Sequence, residues 1–94
     1  MPLYTFIMEF EGGSYISQVK ASSPKSACVK WAESLDPSGI YRLSETGKSI
    51  LLEEMKKEVP IAIKGVTNTW FTLAPIRGKS ANINLVQTVE YQTS

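Results

Sequence analysis

Residues 3–35 read LYTFIMEFEGGSYISQVKASSPKSACVKWAESL, and this stretch decides the fold. Leu3 to Phe10 and Ser14 to Ala21 are rich in β-branched and aromatic residues, with Gly12-Gly13 between them. Glycine accepts the positive φ angles of a two-residue hairpin turn, so the two runs are expected to pair as antiparallel strands. With Gly12-Gly13 as the loop, Phe10 faces Tyr15, Met8 faces Ser17 and Phe6 faces Val19. One face then carries Tyr4, Phe6, Met8, Phe10, Tyr15 and Val19. The other carries Thr5, Ile7, Glu9, Ile16, Gln18 and Lys20. The first set is more apolar and is assigned to the core, because strand side chains alternate strictly between faces.

A helix is expected directly after the hairpin. Ser23 suits its cap, and Pro24 suits its first turn, where a missing N–H does no harm. Ala27, Cys28, Trp31, Ala32 and Leu35 fall within one helical arc, opposite Lys25, Ser26, Lys30, Glu33 and Ser34. Trp31 is read as a core anchor. Asp36-Pro37-Ser38-Gly39 is a strong turn signal and ends the helix.

The middle of the chain permits two readings. Ile40 to Leu43 suits a short strand, and Thr46-Gly47-Lys48 suits a hairpin tip that would pair it with Ser49–Leu52. The favoured reading is a helix over Ser49 to Glu58, where Leu51, Leu52, Met55 and Val59 share one side and Glu53 and Lys57 pair at i,i+4. Pro60 ends it. Ile61 to Lys64 is then a short extended run, and Gly65 to Asn68 a loop. Trp70 to Ile76 and Ala81 to Tyr91 are strands around Arg77-Gly78-Lys79-Ser80, whose tip closes with either two or four residues. Pro75 marks a strand end or an edge. In the last strand Ile83, Leu85, Val89 and Tyr91 alternate with Asn82, Asn84, Thr88 and Glu90, so one face is expected to be buried. The order β-β-α-(β)-α-β-β-β defines a single α+β domain over residues 1–94. Its expected form is a mostly antiparallel sheet with two helices packed on one face.

Composition narrows the function. The chain has no histidine and one cysteine, Cys28, which removes the commonest neutral-pH proton shuttle and the usual multi-ligand zinc sites. Ten basic and nine acidic residues leave a net charge of +1, without the basic excess of a dedicated nucleic-acid binder. A lone cysteine suits a reducing cytoplasm. No apolar run approaches membrane-spanning length, and the N-terminus opens as a strand, so neither a membrane span nor a signal peptide is expected.

Motifs that carry chemistry are weak. Gly47-Lys48-Ser49 has Arg42 where a phosphate-binding loop needs its first glycine, and Gly78-Lys79-Ser80 has Leu73 there. Both are read as solvated turns. Cys28 shares the inward arc of Trp31 and is read as a buried thiol. No two carboxylates are brought together by the pattern, so no catalytic residues, cofactor or metal are expected, and no enzymatic activity. Candidate contact residues are Tyr41 and Arg42 in the central loop, and Trp70, Arg77 and Lys79 around the second hairpin. Basic residues beside aromatic rings can grip single-stranded nucleic acid.

The Gly-Gly hairpin leading to a Ser-capped helix, residues 4 to 35, resembles the opening of HicB-type antitoxin domains, whose small sheet and helix cover a partner toxin. That family has a further loop and strand where Val19-Lys20-Ala21 here runs straight into Ser22-Ser23-Pro24.

The expected function is therefore a non-catalytic interaction module that binds another protein or its own copy, with the run Ala81 to Tyr91 as a pairing edge. The alternative is nucleic-acid binding through the Arg77–Lys79 hairpin. A small enzyme or ligand pocket built from Tyr, Lys or carboxylate groups is a third reading.

Overall fold

The computed structural model describes residues 1–90. Its elements run β1 (Leu3–Phe10), β2 (Gly13–Lys20), α1 (Pro24–Ser34), a 3-10 turn (Pro37–Gly39), α2 (Ser44–Lys57), β3 (Ile61–Ala62), β4 (Thr69–Ile76) and β5 (Lys79–Thr88). The five strands form one antiparallel sheet in the order β2-β1-β5-β4-β3. Both helices lie on one face, α1 over β1 and β2, α2 over β4, and they pack against each other. The fold is the expected α+β architecture.

The first hairpin shows why its faces are robust. The turn is Glu11-Gly12, not Gly12-Gly13, and Phe10 pairs with Gly13, Met8 with Tyr15, Phe6 with Ser17 and Tyr4 with Val19. Glu11 and Gly12 both hold positive φ, at 49° and 79°, as a type I′ turn requires. Arg77-Gly78 repeats this geometry at 50° and 80° and closes the second hairpin with two residues, so Lys79 is already in β5. The pairing in the first hairpin is displaced from expectation by two positions, an even number. Parity therefore holds, and Tyr4, Phe6, Met8, Phe10 and Val19 are all buried as expected.

Helix α1 begins as read. Ser23 Oγ accepts from the Ser26 N–H at 3.2 Å, while Ser26 Oγ accepts from the Ser23 N–H at 3.1 Å, a reciprocal cap. Ala27, Cys28, Trp31 and Ala32 are buried. The Trp31 indole is 1% exposed and lies nearly parallel to Phe6, with centroids 4.7 Å apart and planes at 5°. Its Nε1–H donates to Ser17 Oγ at 3.0 Å, so one side chain joins α1 to both β1 and β2.

The middle departs from expectation. Ile40 to Leu43 is a turn and not a strand, and α2 starts at Ser44, five residues before the expected Ser49. Ser44 Oγ accepts from the Gly47 N–H at 3.3 Å, a side-chain bond within the first turn of the helix. Gly47-Lys48-Ser49 is thus helical, not a solvated turn. A Cβ at Gly47 would sit 3.1 Å from Leu43 Cδ1 and 3.5 Å from Ile76 Cγ2, which explains a glycine inside a helix. Leu51 and Met55 are buried, but Val59 lies beyond the helix and is exposed.

The largest correction concerns β5. It is the central strand, bonded to β1 on one side and β4 on the other, and is no pairing edge. Ile83 and Leu85 are buried, whereas Val89 lies past the strand end and is 78% exposed; Tyr91 lies outside the described residues. Pro75 sits in β4 opposite Ser80. Ladder hydrogen bonds alternate from the bonded Ile76–Lys79 pair, so the Pro75 nitrogen faces away from β5, where β3 does not reach. Truncation of Trp31 to alanine is expected to lower stability by about 3–5 kcal/mol, the range for large buried aromatics. Urea unfolding monitored by far-UV circular dichroism measures it; a loss below about 1 kcal/mol would show that the Phe6–Trp31 stack does not hold the domain together.

Candidate functional site

Both hairpin turns, the 35–43 connection and the start of α2 meet at one end of the sheet. This end collects four of the five candidate contact residues. Tyr41 is 62% exposed, and its N–H donates to the Tyr15 hydroxyl at 3.1 Å. The Arg42 guanidinium carbon stands 5.4 Å from the Tyr41 ring centroid. Arg42 and Lys79 approach Glu11 from either side, each at 3.9 Å. Glu11, which sequence reading passed over, is therefore the hub of the cluster. Tyr41, and after it Glu11, favour the charged form of Arg42. Glu11, Arg42 and Lys79 line a shallow recess of about 170 Å³ together with Phe10, Ile76 and Arg77.

Arg77 is committed to structure. One guanidinium nitrogen donates to the carbonyls of Arg42 at 2.6 Å and Leu43 at 3.1 Å, and the other to Ser44 Oγ at 3.4 Å. Arg42 and Ser44 hold positive φ, 62° and 60°, an uncommon state for such residues, so the clamp secures a strained turn. Trp70 is not part of this cluster. It lies at the other end of β4 on the helix side, half-buried, edge-on to Tyr4 at 5.9 Å.

The opposite end has its own cation. Lys25, expected on a solvated face, donates to the carbonyls of Met55 at 2.7 Å and Lys56 at 2.8 Å, and also to that of Glu58. It thereby serves acceptors that the end of α2 leaves open. Cys28 is buried among the α1 core residues. Desolvation pushes its thiol up to about 12, against a smaller opposing effect of Lys25. Asp36 is held below the usual carboxylate range by the Ser38 hydroxyl and then the Ser38 N–H.

The side of the sheet away from the helices is uncovered. Among the described strand residues there, Glu9 and Lys20 are the only charges, and Lys20 is paired with Glu90 at 3.0 Å. Ile16 is 70% exposed and Leu73 43%, and Ile7, Phe71 and Val86 are half-buried. Asn82 and Asn84 occupy the middle on β5. Among the described residues no three metal-ligating side chains converge, and no helix is long and apolar enough to cross a membrane. No known protein family, curated protein or solved structure matches the chain, and the HicB-like opening finds no counterpart among them.

Two outcomes follow. Arg77→Ala is expected to lower stability by about 1–3 kcal/mol, since it leaves carbonyls of a tight turn unpaired, whereas Lys79→Ala changes it by less than about 0.5 kcal/mol; paired thermal melts compare them, and equal effects would contradict the clamp. Cys28 sets an alkaline window. The unfolded chain releases the thiol proton near 9 and the folded chain near 12, so its effect is constant below pH 9. Between pH 9 and 12 the native chain loses stability relative to Cys28→Ala, measured by urea midpoints; a gap that stays constant would contradict burial of the thiol.

Proposed function

We propose that this chain is a small non-catalytic interaction module that associates with a second copy of itself through its sheet. One observation carries the reading: the sheet is covered on one face only, and what it leaves open is almost uncharged. Proteins rarely leave such a surface bare without using it. The 36 residues of the five strands, each about 3.3 Å along the strand and about 4.8 Å across, offer at most roughly 570 Å² of open face per copy. A stable interface needs about 800 Å² per partner, so the association is weak and concentration-dependent. The lone buried Cys28 suits a reducing compartment such as the cytoplasm.

The nucleic-acid alternative draws less support. Arg77 is engaged by its own turn, Trp70 stands apart from the basic tip, and Glu11 sits between Arg42 and Lys79. Amide chemical shifts followed by two-dimensional NMR from micromolar to millimolar protein test the proposal. Shifts are expected in the strands, with the exposed side of α2 around Glu53 and Lys56 unchanged. Spectra that do not change with concentration would overturn it.

A further inference from the structure

Resting on that reading, we infer that the contact is made by the β2 edge, which pairs antiparallel with β2 of a second copy about a two-fold axis at Ile16. The first hairpin fixes which backbone groups are available. Phe10–Gly13 flanks a two-residue turn and is a hydrogen-bonded pair, so bonded and non-bonded pairs alternate along the ladder from it. Ser14, Ile16, Gln18 and Lys20 fall in the non-bonded pairs, and their N–H and C=O groups point away from β1. The Lys20 carbonyl is already taken by Lys30 Nζ at 2.7 Å. Ser14, Ile16 and Gln18 remain, and their outward backbone groups find no partner among the described residues.

These three positions are symmetric about Ile16. Placing Ile16 against Ile16 of a second copy sets Ser14 against Gln18 in both directions, and every outward donor and acceptor of the three residues is satisfied at once. The two Ile16 side chains, each 70% exposed, meet on the uncovered face as a β-branched cross-strand pair. The two Lys20 side chains stand about 26 Å apart, eight residues at about 3.3 Å each, so no like charges oppose. Face-to-face packing instead would bury Asn82 and Asn84 from the centre of each sheet at a desolvation cost.

The other edge of the sheet differs. There β3 covers Phe71, and beyond it the outward positions are Leu73 and Pro75, of which proline has no N–H. Natural edges are blunted by proline, charge or covering chain. The β4 edge has two of these devices, while Ser14 to Gln18 has none. With one open edge, pairing closes at two copies and does not propagate as a fibre.

Sedimentation equilibrium of the full chain and three variants tests the contact. Gln18→Pro removes an outward N–H without touching the β1–β2 ladder. Ile16→Lys sets two ammonium groups face to face at the axis and decides the matter should the proline variant fail to fold by circular dichroism. Leu73→Glu alters only the uncovered face. The native chain and Leu73→Glu are expected to rise from 10.4 kDa toward twice that mass with concentration, while the two β2 variants stay at 10.4 kDa. A dimer that survives in folded Gln18→Pro and Ile16→Lys overturns the edge contact and leaves self-association standing. A native chain that stays monomeric up to about 1 mM removes both.

Discussion

The rest of the molecule depends on the flat contact between Trp31 and Phe6. Stacked aromatic rings add about 0.5–1.5 kcal/mol beyond the area they bury, and here the larger ring also spans two strands. Its indole N–H finds Ser17 on β2 while its face covers Phe6 on β1. That places α1 across the first hairpin, and α1 in turn supports α2. The helix layer thus closes over one face of the sheet, and the opposite face is left to solvent by construction.

Cations then secure the two ends of α2. At its start Arg77 holds the carbonyls of a turn with two residues at positive φ. At its finish Lys25 collects terminal carbonyls that would otherwise face water. Neither contact is a salt bridge between exposed side chains, a type worth little. Each pairs a charge with backbone groups that require a partner. These two basic residues are therefore structural, and with Arg77 so engaged the free positive charge at the hairpin end is smaller than composition implies.

The sheet treats its two edges unequally. On β4, Pro75 and the short β3 end the ladder. On β2, Lys30 closes only the Lys20 carbonyl, and three consecutive outward positions stay open beside an exposed isoleucine. The charged groups of the chain lie at the strand ends, on the helices and at the turns, so the open surface is shaped by hydrogen-bonding groups and β-branched side chains. Such a surface discriminates by backbone register, in the way that added strands are recognised.

Much of this was legible in residues 3–35, since alternation in a strand and the 3.6-residue arc of a helix are local properties. Tyr4, Phe6, Met8, Phe10 and Val19 keep their face even though the turn is Glu11-Gly12, because displacement by an even number cannot exchange the faces. Trp31 and the Ser23 cap were equally readable. The site was less so: Tyr41, Arg42, Arg77 and Lys79 were found as types, but Glu11 as their hub and Arg77 as a clamp depend on pairs more than thirty residues apart. Composition and periodicity by themselves determined an α+β domain with one apolar face per element. Only tertiary structure decided that β5 takes the centre and β2 the edge, because strand order follows from where the two-helix crossover delivers the chain, and no local pattern encodes that.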